Sequence, residues 1–366
     1  MAKAASDSLG DRMKQGVVIT KHHHSQGTIP RVEIIEAGHP VSDENTISGT
    51  EKAIKMVENL TDKDEILFLV SGGGSALFES PQPGISFDDI VEINKQLLAS
   101  GANIVEMNII RKRLSKVKAG RFAELCKATN IFTIVLSDVV GDRLDSIASG
   151  PAAPDHSTAS EALEVVKKYN LKLTDAAMKC LEMETPKEVH NVETVVTGSV
   201  RTLCDSAAES AKALGYEPII LSTTLGCEAR QAGEIMGTIA NEINRGEYSI
   251  KRPCAVIIGG ETVVQLKGNG KGGRNIEMAL RASMLIDGLK DVVFFSLGSD
   301  GTDGPTDAAG GIVDGSTLEK MREQGLDAEA FLANNDSYNI LKEVDGLIIT
   351  GPTGTNVNDV SVLLCK

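Results

Sequence analysis

Residues 66–76, with the sequence ILFLVSGGGSA, decide the fold class of this chain. Five consecutive apolar residues, 66–70, predict a buried strand, and a polar loop follows at once. The loop consists of Ser71, Gly72, Gly73, Gly74 and Ser75. Glycine lets a ligand approach the backbone closely, and N–H groups of such a loop converge on an anion where it opens a helix. We interpret it as an anion cradle. The alternative is a tight strand-to-helix turn, which needs one glycine rather than three.

Short apolar runs alternate with segments of helical spacing on both sides of this stretch. The predicted strands are 17–21, 32–37, 66–70, 131–136, 192–197 and 217–221, and the predicted helices are 46–59, 86–100, 104–119, 160–169, 201–214 and 229–244. This alternation predicts an α/β domain with a largely parallel sheet. The polar stretch RGEYSIKR, 245–252, predicts a link between two domains, residues 1–245 and 246–366.

Composition narrows the function classes. A length of 366 residues is typical of about two domains, and a net charge of −14 argues against a general nucleic-acid or anionic-membrane surface. The six cysteines contain no CxxC pair, which favours reduced thiols in a cytoplasmic protein. No apolar run approaches the roughly 20 residues of a membrane span, and no basic-then-apolar leader is present. We expect a cytoplasmic protein without nucleic-acid or membrane partners.

Residues 104–119, IVEMNIIRKRLSKVKA, are predicted to form one helix with a polar stripe. Asn108, Arg111, Ser115 and Lys118 fall within an arc of about 80° on such a helix. Two cations and an amide on one stripe of an acidic protein indicate a clamp for phosphate or carboxylate. The alternative is a solvated basic face.

Acidic side chains follow two of the predicted strands. Asp138 and Asp142 lie after strand 131–136, at the end where ligands collect in parallel α/β sheets. Such carboxylates hold Mg²⁺ or take a proton from a hydroxyl group, and helix capping is the alternative for either one alone. Asp300, Asp303 and Asp307 cluster in GSDGTDGPTD after strand 292–297, which favours a metal or hydroxyl-binding site. Asx-turns explain some of these aspartates.

Further glycine-rich loops mark the last third of the chain. Glu261 and Thr262 follow the strand at 255–258, and the loop GNGKGGRN opens a helix with Arg274, Asn275 and Glu277. A guanidinium at a glycine-rich helix start suits an anionic ligand, although no Walker A motif occurs. A last loop, GPTGTN at 351–356, is a candidate for contacting phosphates or polyols.

Together these motifs resemble a known family. SGGGSA, NIIRKRLSKVKAG, SDVVGD, IASGP, GGET, GKGGRNIE, GSDGTDGPTDAAG and TGPTGTN occur in this order. The chain resembles, over nearly its whole length, the glycerate kinases that end in a MOFRL domain. The resemblance implies a Rossmann-like α/β/α N-terminal domain, a smaller C-terminal α/β domain and an active site in the cleft between them. It also implies ATP- and Mg²⁺-dependent phosphorylation of D-glycerate to 2-phosphoglycerate.

The resemblance also implies roles for single residues. Asp138 and Arg274 match as catalytic residues, and Arg111 and Lys118 would bind an anionic group such as the glycerate carboxylate. From the acidic residues themselves, rather than from the resemblance, we predict metal binding by Asp142, Asp300 and Asp303. The remaining substrate- or nucleotide-binding candidates are Ser71, Gly72, Gly73, Gly74, Ser75, Asn108, Glu261, Thr262, Asn275, Glu277, Thr353 and Asn356.

One departure from the family concerns the start of the chain. Family members carry a further segment that ends in Gly-Lys-Ala, just before a helix that resembles MAKAASDSLG at residues 1–10. The resemblance therefore implies that this lysine lies upstream of Met1, and we interpret Met1 as an internal methionine of a longer protein. Activity of the chain as written is left open.

Two rival functions stay open at this point. One is an NAD(P)H-dependent hydroxypyruvate reductase, although no G-x-G-x-x-G fingerprint with its acidic partner follows an early strand. The other is a non-catalytic protein that binds phosphorylated small acids. The sequence also leaves open C2 against C3 phosphorylation, the preferred nucleotide and the oligomeric state, a homo-oligomer included.

Overall fold

The computed structural model describes residues 1–25, 27–128, 130–246 and 249–366. Strands and helices alternate along most of this length, which confirms the predicted α/β class. The strands are β1 (Gly16–Lys21), β2 (Val32–Ala37), β3 (Glu65–Val70), β4 (Asn130–Leu136), β5 (Val192–Gly198), β6 (Glu217–Leu225), β7 (Cys254–Gly260), β8 (Val292–Gly298), β9 (Gly310–Asp314), β10 (Leu347–Ile348) and β11 (Asp359–Cys365). The helices are α1 (Ala2–Leu9), α2 (Glu44–Glu58), α3 (Gly74–Leu77), α4 (Phe87–Ala99), α5 (Ile104–Leu114), α6 (Arg121–Leu125), α7 (Ala159–Tyr169), α8 (Asp175–Glu182), α9 (Val200–Ala213), α10 (Ala229–Arg245), α11 (Arg274–Leu285), α12 (Thr317–Glu323), α13 (Ala328–Ala333) and α14 (Ser337–Glu343).

The chain divides into two compact units. Met1–Val135 and Arg143–Val196 form the first unit, and Leu136–Asp142 and Thr197–Lys366 form the second. The division therefore differs from the boundary expected at residues 245 and 246. The physical reason is that β6 and β7, on either side of that boundary, pair as parallel neighbours in one sheet. Residues 247 and 248 of the expected link lie outside the described residues.

The first unit contains the parallel strand pairs expected from the sequence. β1 pairs in parallel with β2, and β3 pairs in parallel with β4 in a sheet of order β3-β4-β5. Helices α4, α5, α7 and α8 bury a separate apolar core that includes Leu97, Ile110 and Leu181. On α4, Ile93 is buried and Leu98 is 66% exposed.

Polar residues fix where several helices begin. In α2, α4, α5 and α7 the residue before the helix accepts a hydrogen bond from the third helical N–H, and the third side chain bonds back to the cap. The capping residues are Asp43, Ser86, Asn103 and Thr158. Because the first N–H groups of a helix lack partners inside it, these capping boxes set the helix starts within one or two residues of the predicted ones.

Helix α5 is shorter than predicted, and this changes the expected polar stripe. The helix ends at Leu114, and Ser115 adopts an extended backbone. Here the chain bonds to a neighbouring segment: the Lys116 N–H donates to the Ser80 carbonyl and the Gln82 N–H donates to the Leu114 carbonyl, at 2.8 and 2.9 Å. These bonds replace the helical ones, so a single helix over 104–119 is wrong.

The second unit is built on a six-stranded sheet of order β10-β9-β8-β11-β7-β6. Only the β6–β7 pair is parallel among its described pairings. Strand β7 is buried along its whole length, because Val256 faces the core under α10 and α11 while Ile257 faces the core under α9. β6 ends at Leu225 and is longer than the predicted strand 217–221.

Within the residues that the structure describes, no helix combines the length and apolar character needed to cross a bilayer.

Candidate active site

Several candidate residues meet at one edge of the six-stranded sheet. β11 lies between β7 and β8 and runs antiparallel to both. Asp359, its first residue, is therefore in register with Gly260 at the end of β7 and with Gly298 at the end of β8. The loops that follow β7 and β8 begin on either side of Asp359. This topology brings together loops that lie far apart in the sequence.

Arg274 is held at this edge by two carboxylates. It is the first residue of α11, and its Nε and Nη2 donate to the two oxygens of Asp359 at 2.5 and 3.1 Å. Its Nη1 donates to Glu261 Oε1 at 2.8 Å. The Arg274 side chain remains one-third exposed, whereas the side chain of Asp359 is 8% exposed. The structure thus places a fixed, partly exposed cation beside the predicted residue Glu261.

The charges around Arg274 keep it protonated. Burial acts to lower the pKa of its guanidinium, but the hydrogen bonds and negative charge of Asp359 outweigh burial and raise this pKa above the usual value. Burial also raises the pKa of the Asp303 carboxyl to about 6, against two backbone N–H donors that favour its charged form. A permanent guanidinium of this kind suits phosphoryl oxygens, which it binds through parallel N–H bonds.

Asp303 caps the helix that starts with Arg274. Its oxygens accept hydrogen bonds from the N–H groups of Asn275 and Ile276, at 3.2 and 2.8 Å. The Asn275 side chain donates to the same carboxylate, at 3.3 Å. Asp303 is buried, and both of its oxygens are bonded at the helix start. Metal binding by Asp303 stays a prediction that these contacts do not support.

The glycine-rich loop 268–273 packs against the start of α14. A Cβ at Gly270 would lie 2.4 Å from Asp336 Cβ, and a Cβ at Gly272 would lie 2.4 Å from Ser337 Oγ. The Lys271 N–H donates to Asp336 Oδ1 at 2.8 Å. Close packing and internal hydrogen bonds therefore account for these glycines, and Arg274 stays the predicted ligand-binding residue of the motif.

Two further predicted binding residues, Asn275 and Glu277, are buried by their own partners. Ser296 Oγ donates to Asn275 Oδ1 at 2.5 Å. Arg230 Nε donates to Glu277 Oε1 at 2.7 Å, and Asn335 donates to its other oxygen at 3.1 Å. Both residues are 1% exposed, so these contacts give them structural roles, and ligand contact by either one stays a prediction.

The two remaining loops of this edge pack on each other. Asp300 accepts from the N–H and hydroxyl of Thr302, at 2.9 and 3.0 Å. The Thr353 N–H donates to the Asp300 carbonyl at 3.2 Å, and Thr353 Oγ1 donates to the Ser299 carbonyl at 2.5 Å. Thr353 and Asn356 are exposed, whereas Thr262, after β7, is buried. The predicted loop residues therefore share one region, with Thr262 turned inward.

Asp138 lies in a short segment that belongs to the second unit. Leu136–Asp142 groups with this unit, and the Ser137 N–H donates to the Gly198 carbonyl at 2.8 Å. Gly198 in turn packs near Val357, because a Cβ at Gly198 would lie 3.5 Å from Val357 Cγ1. Val357 is two residues before Asp359 in the chain. Asp142 ends the segment with φ +51°. The structure thus groups Asp138, Arg274 and Asp359 in one unit.

The first glycine loop belongs to the first unit. Gly73 precedes α3 with φ +83°, and a Cβ at Gly74 would lie 2.6 Å from Ala148 Cβ. Ser75 Oγ lies 3.0 Å from Ser149 Oγ. Conformation accounts for Gly73 and packing accounts for Gly74, while Ser71 and Ser75 are exposed, and the anion cradle stays a prediction.

The predicted cationic clamp is not formed as expected. Because α5 ends at Leu114, Lys118 leaves the stripe of Asn108 and Arg111. Lys118 is 1% exposed and binds the Glu79 carboxylate and the Phe78 carbonyl. Arg111 is partly exposed, and its Nε donates to Asn94 at 2.6 Å. Lys118 is therefore part of a buried ion pair, and Arg111 is the cation of the stripe that keeps an exposed surface.

Metal binding was predicted for three aspartates in this unit. No group of three or more His, Cys, Asp or Glu side chains in the described ranges is arranged to hold a metal ion. Mg²⁺ commonly needs only one or two carboxylates when substrate phosphates supply its other ligands. Asp300 and Glu261 are the carboxylates of this region that suit such a Mg²⁺ site. The Glu261 side chain is 45% exposed.

Comparison with known proteins identifies the family. A model described as a domain of unknown function (DUF4147) matches residues 1–182, and the MOFRL family model matches residues 254–359. The D-glycerate 2-kinase of Thermotoga maritima is 51% identical over 99% of this chain and 87% of its own length. The glycerate 2-kinase of Pyrococcus horikoshii is 42% identical over 100% of this chain and 84% of its own length. The crystal structure of glycerate kinase from Thermotoga maritima matches with a TM-score of 0.97 and 51% identity, covering 100% of this chain and 88% of that chain. The chain belongs to the glycerate kinase family with a MOFRL domain.

For this glycerate kinase family member, sequence reasoning missed Asp359. It follows the TGPTGTN motif and directly precedes the apolar run VSVLLC, so an acidic residue at the polar start of a strand was the available signal. Its partner, Arg274, lies 85 residues earlier in the chain. The pairing depends on the antiparallel insertion of β11 between β7 and β8, which no local pattern reveals.

Proposed function

We propose that this chain transfers the γ-phosphoryl group of ATP to D-glycerate and forms 2-phosphoglycerate. Membership of the glycerate kinase family supports the reaction class, together with the names of the relatives. The observation that carries the proposal is Arg274, fixed by Asp359 and Glu261 where the loops after β7 and β8 begin. Phosphoryl transfer depends mainly on positioning and on neutralising the charge of the transferring group, which such an arginine supplies.

In this proposal Arg274 binds oxygens of the transferring phosphoryl group. Its guanidinium stays charged, and one-third of its side chain is exposed. A phosphate group would compete with the half-exposed Glu261 for Nη1 while the buried Asp359 keeps its two bonds. Arg274 thus offers a bidentate donor whose orientation is already set.

Asp138 would act on the hydroxyl group of glycerate. It lies at the end of β4 in a segment of the second unit, where a carboxylate can orient the hydroxyl and accept its proton. This role requires only one side chain near the attacking oxygen. Asp138 is therefore proposed as the positioning and proton-accepting carboxylate.

Mg²⁺ is the proposed metal, and Asp300 and Glu261 would hold it together with ATP phosphates. When bound, Mg²⁺ neutralises part of the phosphate charge. Asp142 stays a predicted ligand, and one of its carboxylate oxygens is buried without a hydrogen-bond partner among the described residues. The residues themselves supply oxygen donors, the type that this cation prefers.

The remaining ligand contacts are also proposals. Arg111 would bind the glycerate carboxylate, and the exposed groups of the loops would contact ATP or glycerate. The exposed residues are Ser71, Ser75, Thr353 and Asn356, and the partly exposed Gly72 and Asn108 are proposed to contribute as well. A cytoplasmic location is proposed because ATP and small phosphorylated acids are available there.

The direct test incubates the purified chain with ATP, Mg²⁺ and D-glycerate and identifies the product by phosphorus NMR. We expect ATP-dependent formation of 2-phosphoglycerate, distinguished from 3-phosphoglycerate by coupling to enolase, and loss of turnover after chelation of Mg²⁺. Oxidation of NADH with hydroxypyruvate and no ATP use would instead assign a reductase. Binding of ATP and glycerate without turnover, in this chain and in an N-terminally extended one, would assign a binding protein.

A further inference from the structure

Asp359 is the most firmly placed partner of Arg274. It accepts two hydrogen bonds, from Nε and Nη2, and its side chain is 8% exposed. Glu261 accepts one bond from Nη1 and is 45% exposed. Asp359 therefore holds the guanidinium more firmly than Glu261 does, because a buried pair with two hydrogen bonds fixes both the position and the plane of the group.

The backbone around Asp359 is also fixed. The residue opens β11, which is hydrogen-bonded to β7 on one side and to β8 on the other. Strand β11 is buried along almost its whole length. A carboxylate on an interior strand moves little, so it transmits the rigidity of the sheet to a flexible arginine side chain.

We propose, on the basis of the kinase activity proposed above, that Asp359 is the positioning residue of the phosphoryl-transfer site. It holds Arg274 by the Nε and Nη2 edge and leaves the Nη1 edge, now bonded to Glu261, for the phosphoryl group. Asp359 itself touches neither substrate. Its contribution is the orientation of Arg274, and displacements of about 1 Å in such groups cost on the order of 100-fold in rate.

The test is a double-mutant cycle of Asp359→Asn with Arg274→Lys, using the full chain, ATP and D-glycerate. Asparagine keeps the shape of aspartate and loses its charge, and lysine keeps the charge of arginine but cannot form the two-bond pair. We expect Asp359→Asn to lower kcat by about 10- to 100-fold with a change in KM for ATP below about threefold. In the Arg274→Lys background the same change should lower kcat by less than about threefold, because the interaction it removes is already broken.

A matched control comes from the other end of α11. Arg281 lies on this helix and donates to Glu234 on α10 at 3.2 Å, so Glu234→Gln breaks an ion pair of the same helix. This variant should change kcat by less than about twofold in both backgrounds. Thermal unfolding of every variant checks folding, and Asp359→Glu replaces Asp359→Asn in the cycle if the latter does not fold.

The outcomes separate the two proposals. If the wild-type chain is active and the fold-loss in kcat of the double variant equals the product of the two single losses, the positioning role alone is overturned. A fall in thermal stability without any fall in kcat would also overturn it. If neither this chain nor an N-terminally extended one transfers a phosphoryl group to glycerate, while both fold and bind ATP, the proposed function is overturned together with this role.

Discussion

Asp303 lies so close to Gly273 that a Cβ at residue 273 would fall 2.3 Å from Asp303 Cγ. The carboxylate occupies the start of α11, where it accepts hydrogen bonds from the N–H groups of Asn275 and Ile276. The first N–H groups of a helix have no partner within it, so this contact completes the helix. The glycine thus makes room for the cap that holds the first turn of α11, and with it Arg274.

We predict that Gly273→Ala destabilises the protein. Its backbone φ is −147°, which any residue adopts, so the added methyl group acts through its collision with Asp303 alone. Overpacking of this kind typically lowers the free energy of unfolding by about 1–3 kcal/mol. Urea unfolding measures the change. Gly226→Ala is the control, because a Cβ there meets no atom within 4 Å, and equal losses in both variants would contradict the steric argument.

The buried Lys118–Glu79 pair leads to a second prediction. Lys118 and Glu79 are 1% and 6% exposed, so Lys118→Met leaves an unpaired charge inside the first unit. We expect the free energy of unfolding to fall by about 3–5 kcal/mol, and the double variant Lys118→Met, Glu79→Gln to lose less. Urea unfolding of the three proteins provides the measurement.

By contrast, Arg111→Ala should raise KM for glycerate with little change in stability. A rise in KM for glycerate in Lys118→Met but not in Arg111→Ala would restore Lys118 as the substrate-binding cation.

A third prediction concerns pH and the buried carboxylate of Asp155. Burial acts to raise the pKa of Asp155, but Lys112, Ser157 and Thr185 outweigh it and lower this pKa to about 2. Since the pKa is depressed in the folded state, the stabilisation is present above about pH 4, the unfolded value, and is lost as the pH falls through 2. The depression corresponds to about 2 kcal/mol.

Asp155→Asn removes this dependence. We expect the variant to be less stable than the wild type at pH 7, and the difference to shrink below pH 4 as the wild-type carboxylate takes up its proton. Unfolding by urea at several pH values from 3 to 7 gives the comparison. Glu164→Gln, at an exposed position of α7, should show a small difference that does not vary with pH. A pH-independent deficit in Asp155→Asn would rule out the linkage.

Local patterns were sufficient for most helix starts and apolar strands. Ser86 and Asp89 form a capping box ahead of an apolar stripe, so both ends of α4 could be predicted within a residue. The end of α5 could not, because RKRLSKVKA keeps helical spacing and contains no glycine or proline. Its end is set by backbone bonds from Lys116 and Gln82, partners that only the tertiary structure supplies.

In the candidate site, too, local sequence patterns indicate some features, whereas others depend on tertiary contacts. Glycine density pointed to the loops at this end of the sheet, but it could not reveal that Gly270 and Gly272 are required by packing against the start of α14. Arg274 was found because it opens a helix after such a loop. Asp359 and Glu79 were missed, because their partners lie 85 and 39 residues away and a sequence pattern carries no sign of such pairs.

A fourth prediction concerns Asp138, the carboxylate proposed to act on the glycerate hydroxyl. Asp138→Asn keeps the size of the side chain and removes its capacity to accept a proton, so kcat should fall by about 10²- to 10⁴-fold. KM for ATP should change little, because the lost interaction belongs to the attacking hydroxyl and to the transition state. Initial rates of ADP formation with varied ATP and glycerate provide both constants.

The control for Asp138 is Asp175→Asn, which changes an exposed aspartate in the first turn of α8 in the first unit and should leave kcat within about twofold. Thermal unfolding of both variants establishes that the proteins are folded. A raised pH should not restore the Asp138→Asn rate, since the missing group cannot be ionised. Near-normal turnover in a folded Asp138→Asn protein would remove Asp138 from the reaction and leave charge neutralisation by Arg274 as the main contribution of the second unit to catalysis.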